Sequence, residues 1–333
     1  MASESRLTVA ILFNDDSTLV AGEERDRLAV EGVEAVAETV AAGLREHGWK
    51  EWRMPVGRDL QVVVNSLRDQ GPDVVFNLVE SISGQPRLEA AMAWVLEWLD
   101  LPYTGSPPEA LSAALDKARA KALLAAAQIP TPGASAATYP VIVKPRRQDA
   151  SHGISPESVV HSAEAAAARV AYIEERYEQP ALIEEFIDGR EFNLSLIGPT
   201  DAPTLLPPSE IDFSDFRQGR PRVVGFEAKW FEGSPDFLGT VPFFPDLDDD
   251  LHSRLRDVAA GAFTALGLRD YGRVDVRLHA ERGPFVVDVN PNSDLSTDAG
   301  LARAAHRAGL DYAELVSNIA RMAQARAGLP SPA

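Results

Sequence analysis

Alternation of apolar and polar residues over 272 to 278 (GRVDVRL) and 284 to 294 (PFVVDVNPNSD) is the strongest constraint this chain places on its own fold. Side chains of a strand alternate between two faces, so Val274 and Val276 share one face while Arg273, Asp275 and Arg277 share the other. Asp288 and Asn290 also share a face, and Glu281, Arg282 and Gly283 read as the turn of an antiparallel hairpin. Two carboxylates, an amide oxygen and an arginine then meet on one surface. That set suits magnesium, a hard cation that takes oxygen ligands and completes its shell with phosphate oxygens. The alternative is a solvated hairpin carrying surface acids, the ordinary fate of aspartate.

Composition limits the classes that remain. With 333 residues, of which 45% are hydrophobic, the chain is long enough for two or three lobes around connected cores. Its net charge of -18 disfavours nucleic acid or an anionic membrane as a general partner, so any anionic ligand must be met by local cations. The absence of cysteine removes disulfides, thiolate nucleophiles and cysteine-bound zinc. The N-terminus shows no cleavage-type signal and no apolar run reaches spanning length, so a cytoplasmic enzyme is expected.

Along the chain, 7 to 13 reads as a buried strand, about 26 to 47 as a helix stopped by Gly48, and 61 to 64 and 73 to 79 as short strands. Helical spacing over 87 to 99 follows, giving β-α-β-α order and a small parallel sheet with its ligand crevice at the C-terminal strand ends. Trp94 and Trp98, four apart, read as core or subunit-interface packing rather than a ligand platform. An alanine-rich helix over 109 to 127 ends at IPTPG and opens a second lobe. That lobe holds a strand at 141 to 145, a polar loop at 146 to 153, a helix at 163 to 176 and a strand at 181 to 187. Alternation resumes at 191 to 198, and 212 to 240 reads as a long functional loop. Helices at 251 to 266, 299 to 308 and 311 to 327 complete the pattern. The expected division is an N-terminal α/β domain (1–107), a central lobe (108–187), a C-terminal lobe with the candidate metal site (188–328) and a tail (329–333).

Lys144 ends an apolar strand, where an ammonium is costly unless it meets an anion or reaches water. Lys117 lies near a helix start and Lys229 in the long loop; either alone reads as a surface lysine. The loop from Arg146 to Gly153 has one glycine and is a weak phosphate cradle. In LIEEFIDGREF, a strand ending in paired acids precedes Gly189 and Glu191, which suits either a nucleoside or a charged strand edge.

Taken in order, LPYTGS, LDKARAKALLAAAQIPTP, VIVKP, LIEEFIDGREFNLSLIG, FEAKW, GRVDVRL and VVDVNPNSDLS resemble the ATP-grasp superfamily, and most closely its D-alanine-D-alanine ligases. The resemblance implies an ATP-grasp fold of α/β (α+β) lobes and a cytoplasmic homodimer. It also implies a ligase that joins a carboxylate to an amine through an acyl phosphate, using ATP and two magnesium ions. On that likeness Lys117, Lys144 and Ser151 meet the phosphates, and Glu184 with the hinge Glu185, Phe186 and Ile187 holds adenine. Glu191 takes the ribose and Lys229 closes over the γ-phosphate. Asp275, Asp288 and Asn290 take the metals, and Arg273 faces the oxyanion. Small amino-acid-like substrates are implied, with neither nucleic acid nor membrane.

The substrate half departs from the pattern. The ligases' glycine-rich segment with an ammonium-binding glutamate is LFNDDSTLVAGEERD here, with Asp15, Glu23 or Glu24 as substitutes. Glu80 stands near the family's histidine, Ala150 at the lid serine and Trp230 at the lid tyrosine. Ala299 and Gly300 replace the groups that hold a second carboxylate, and Asp294 replaces a glycine. Sites built around a polar group discriminate strongly through it, so altered substrates are expected. Asp294 and Asp298 would favour a cationic or hydroxyl-rich amine, although Asp298 also reads as the cap of the following helix. Two other readings are a genuine D-alanine-D-alanine ligase and a non-catalytic ATP-binding sensor or scaffold.

Overall fold

The computed structural model describes residues 7–15, 23, 32–134, 138–216 and 219–329. Glu24, the expected helix start at 26 to 31 and most of the tail lie outside them. The first lobe runs β1 (Thr8–Asn14), α1 (Val33–Glu46), β2 (Lys50–Val56), α2 (Leu60–Gln70), β3 (Val74–Leu78) and α3 (Glu89–Trp98). Its three strands are parallel in the order β2-β1-β3. The strand expected at 61 to 64 is instead the start of α2. The run LQVVV imitates a short strand, but Asp59 accepts a hydrogen bond from the Gln61 amide and the buried positions Val63, Val64 and Leu67 follow helical spacing. The second strand lies earlier, at β2, where Pro55 and mixed polarity obscured it.

The central part carries α4 (Pro108–Leu115), α5 (Lys117–Ala126), β4 (Val141–Pro145), β5 (Val159–Val160), α6 (Ala163–Tyr177) and β6 (Ala181–Glu185), with an antiparallel sheet β5-β4-β6. The single helix expected over 109 to 127 is broken at Asp116. That residue adopts extended backbone and accepts from the Arg119 amide, so it caps α5 and sets Lys117 at its first turn.

The remaining elements are β7 (Arg190–Gly198), β8 (Thr204–Leu205), β9 (Ser209–Asp212), α7 (Phe226–Trp230), α8 (Pro235–Leu238), β10 (Val241–Phe243), α9 (Asp249–Ala265), β11 (Asp270–His279), β12 (Gly283–Asn290), α10 (Gly300–Arg307) and α11 (Tyr312–Arg326). Strands β10-β9-β7-β11-β12 form one antiparallel sheet with β8 against β7. The long loop expected at 212 to 240 thus contains two short helices.

Helices α10 and α11 return to the first lobe. Leu301, Val316 and Ile319 share a core with Val9, Leu44 and Trp49, and the Trp49 indole donates to Ser317 Oγ at 3.1 Å. Gly43 on α1 makes this approach possible, since a Cβ there would lie 2.8 Å from Val316 Cγ2 and 3.2 Å from Ala313 Cα. Alanine at 43 gains up to about 1 kcal/mol of helix propensity, but overpacking costs about 1–3 kcal/mol. The expected net result for Gly43→Ala is a lower urea midpoint with an unchanged m value.

Trp94 and Trp98 are not core residues: they are 51% and 68% exposed, with Arg68 stacked on Trp98. No helix among the described residues is long and apolar enough to cross a membrane.

Candidate active site

The hairpin read from the sequence is β11–β12, and its register explains the polar surface. Asp275 pairs with Asp288 and Arg273 with Asn290, while across β7 Asp275 faces Asn193 and Arg277 faces Glu191. A bulge lies between Asp275 and Val276, leaving Val287 as the extra residue of β12. Cross-strand neighbours then form the contacts expected of directly opposed side chains. Asn193 Nδ2 donates to Asp275 Oδ1 at 2.8 Å, and Arg277 meets Glu191 at 2.7 Å.

Arg273 forks onto Asp275 through Nε (2.7 Å) and a terminal nitrogen (3.0 Å). Burial disfavours its charge, but Asp275 outweighs burial and raises the guanidinium's pKa above its ordinary value. Lys117 crosses from α5 to donate to both Asp288 oxygens, at 2.9 and 3.1 Å, and reaches Asp149 at 3.3 Å. Burial acts to raise the Asp288 carboxyl, but Lys117, with Lys144 and Arg273, holds it at about 2. Lys229, on α7, makes no ion pair or hydrogen bond among the described residues. Burial lowers its pKa, and Arg273 lowers it further against the pull of Asp275, Asp288 and Glu191.

A second cation pair lies behind the first. Glu184 is 1% exposed, with one oxygen 2.7 Å from Lys144 and the other 2.7 Å from Lys121. Burial would raise its carboxyl, yet the two ammoniums bring it below the ordinary value. At the hinge, the amides of Glu185 and Phe186 are taken by the carbonyls of Gly133 and Pro140. Glu185 pairs with Arg282, and Ile187 is buried. Glu191 is buried too; desolvation raises its carboxyl against the opposing Arg277. Arg277 lies 5.7 and 5.5 Å from the ring centres of Phe186 and Phe213.

The loop around 150 to 154 and the segment at 224 to 230 meet. Trp230 Nε1 donates to the Ala150 carbonyl at 3.1 Å, Ser151 Oγ to the Val224 carbonyl at 3.2 Å, and the Phe226 amide to Ile154 at 2.9 Å. The two positions lacking the expected hydroxyls therefore still touch, through an indole and a backbone carbonyl.

The substrate candidates separate. Glu80 is exposed, with its amide on Asn14 Oδ1 at 3.3 Å. Glu23 accepts from Tyr172 of α6, and Asp15 is exposed at the end of β1. Asp294 Oδ1 accepts from both the amide and the hydroxyl of Ser296. Asp298 does not cap α10: the cap position is Ala299, without a side-chain bond, and Asp298 faces solvent.

Sequence reasoning missed Lys121, which shows only as one more lysine in an alanine-rich helix. It also missed Glu89, a buried acid on α3 bonded to Asn292 Nδ2 at 3.2 Å. Burial, then Asp149, raises the Glu89 carboxyl well above the usual range.

The donor set fits a hard cation. Each carboxylate has about four acceptor positions; Lys117 alone occupies Asp288, and Asn290 Oδ1 accepts only the Asn292 amide. Few protein oxygens with spare lone pairs suit magnesium, which retains water and phosphate ligands. Among the described residues no three His, Cys, Asp or Glu side chains gather as a metal-binding group, and the hairpin itself offers two carboxylates and an amide oxygen.

A three-part α/β fold with lysines converging on a carboxylate hairpin is the arrangement of ATP-grasp ligases. The profile of the family described as D-ala D-ala ligase C-terminus matches residues 116–321. A D-alanine–D-alanine ligase of Marinomonas sp. is 33% identical over 308 residues, covering 87% of this chain and 90% of its own. An uncharacterized protein of Sinorhizobium fredii is 32% identical over 306 residues, 87% and 88% of the two chains. The crystal structure of D-alanine–D-alanine ligase from Bacillus anthracis complexed with ATP superposes with a TM-score of 0.74 at 17% identity, over 97% of this chain and 99% of that one. The chain belongs to the D-alanine–D-alanine ligase family and is an enzyme of the ATP-grasp ligase class.

Proposed function

We propose that the chain is an ATP-dependent carboxylate–amine ligase that forms an amide through an acyl phosphate, on substrates other than a pair of D-alanines. The observation carrying this reading is that Lys117 and Arg273 pair with the β11–β12 carboxylates while Lys144, bonded to the Val287 carbonyl, and Lys229 act on them electrostatically, in a chain of net charge -18. Such a cluster of cations in an acidic protein suits a polyphosphate. Lys117 and Lys144 receive the phosphates beside Ser151. The hinge at 185–187 and Glu184 flank the base, where the Ile187 amide has no partner among the described residues. Glu191 holds the ribose. Spare lone pairs of Asp275, Asp288 and Asn290 would hold two magnesium ions, which when bound neutralise charge on the transferring phosphoryl group.

Lys229, the one lysine of the cluster without a partner among the described residues, faces the γ-phosphoryl group. The substrate carboxylate oxygen attacks that phosphorus, the bond to ADP breaks, and an acyl phosphate forms. The amine nitrogen then attacks the acyl carbon and loses a proton, the carbon–oxygen bond to phosphate breaks, and the amide remains. Arg273, held by Asp275, faces the oxygen that gains charge in this step. The lid contact between Trp230 and Ala150 keeps water from the acyl phosphate.

Altered substrates are supported by the substrate end of the cleft. Ala150, Ala299 and Gly300 offer no side-chain hydroxyl, while Glu80, Glu89 and Asp294 are acidic. Asp294 lies within electrostatic reach of Arg273, which favours an amine of cationic or hydroxyl-rich character. The homodimer expected from the family would use the exposed Trp94 and Trp98 face.

Phosphate release from ATP, screened over pairs of amino acids and amines, tests the reading. The expected outcome is turnover with a mixed pair and only background release with D-alanine alone. Robust turnover on D-alanine would overturn the altered-substrate reading, and ATP binding without release on any pair would favour a sensor.

A further inference from the structure

Lys121 is a buried cation with no part in the proposed reaction. It is 8% exposed, and it shares the Glu184 carboxylate with Lys144, each ammonium 2.7 Å from a different oxygen. Both lysines are also fixed to β12 just before Asp288. Lys144 donates to the carbonyl of the bulged Val287 at 3.1 Å. Lys121 donates to Thr131 Oγ1 at 3.0 Å, and that hydroxyl donates to the Val286 carbonyl at 2.9 Å. Two ammoniums on one carboxylate carry a net positive charge, which Asp288 offsets in part and a phosphate would complete. If Lys144 were the only partner of Glu184, turning it towards a phosphate would strand a buried carboxylate, which is strongly unfavourable.

We propose that Lys121 is a positioning residue: it remains on Glu184 as counter-ion and so frees Lys144 to serve the nucleotide phosphates. The inference rests on the reading of Lys144 as a phosphate ligand. It makes Glu184 first a holder of charge, and it explains why a helix that otherwise buries only small and apolar side chains buries this lysine as well as Lys117. Without Lys121, Glu184 claims Lys144 for itself and the nucleotide has to compete for it.

The experiment is calorimetric titration of the full-length protein with ATP. Lys121→Met is expected to weaken binding by about tenfold, the scale of one charged hydrogen bond. Lys121→Arg, which keeps the charge, is expected to hold most of the affinity. The discriminating pair is Glu184→Gln against Lys121→Met/Glu184→Gln. With no carboxylate to compensate, Lys121 has nothing to do, so the two should bind ATP within about threefold of each other. A further tenfold loss in the double variant would show a merely structural lysine and overturn the proposal, as would wild-type affinity in Lys121→Met. This comparison stands even if Lys121→Met alone does not fold. Lys144→Met separates the underlying reading: if it binds ATP normally, the assignment of Lys144 and the role of Lys121 fall together. If only the Lys144 variant is impaired, the role of Lys121 falls alone.

Discussion

Asp288→Ala is expected to lose ATP-dependent phosphate release by about a thousandfold while remaining folded. Its carboxylate is the hairpin acid with the most spare acceptor capacity, and it receives Lys117 at 2.9 and 3.1 Å. Metal-borne charge stabilisation is worth several kcal/mol, and each 1.4 kcal/mol is about tenfold in rate. Folding should survive because the side chain is 34% exposed rather than core, and Lys117 keeps Asp149 at 3.3 Å. Steady-state phosphate release across a magnesium titration, alongside thermal unfolding, checks both halves. Asp288→Asn should keep the shape and still require far more magnesium. Turnover of the alanine variant near that of the unsubstituted chain would remove Asp288 from the reacting centre.

Arg273 gives the second large effect, and a different signature. Arg273→Met should lower kcat by about 100-fold, the usual loss of one oxyanion donor. The KM for ATP should change little, because the group acts on charge that develops only in the second step. Lysine should not rescue, since Arg273 is held through a two-pronged contact with Asp275 that an ammonium cannot copy. The acyl phosphate should still form. Trapping with hydroxylamine is therefore expected to yield hydroxamate from the variant at a rate above its amide formation. If trapping falls as far as ligation does, Arg273 belongs to phosphoryl transfer instead.

The hairpin was legible because a strand has a period of two and the polar residues of 272 to 278 and 284 to 290 follow it. The element at 60 to 70 was not, because the three consecutive valines Val62, Val63 and Val64 satisfy a short strand and a helix equally. Asp116 did carry a readable signal, a cap residue before a helical run, but the alanine-rich pattern passes through it without a change of period. The Trp94 and Trp98 pair was legible as a helical stripe; its exposure depends on what packs beside α3.

By itself the sequence determined the inventory and the local pattern. It contains no cysteine chemistry, it is acidic, and its few isolated lysines stand next to strand and helix ends, in an order resembling the ATP-grasp ligases. Local periodicity is a property of neighbours along the chain, so it survives without any knowledge of the fold. Only the tertiary structure decided which charges meet. Lys117 reaches Asp288 across 171 positions, and Lys144 and Lys121 divide Glu184 between them. Trp230 also closes on Ala150 across 80 positions. Those pairings follow from how three separately patterned sheets pack, and burial then turns an ordinary lysine into one that must have a partner.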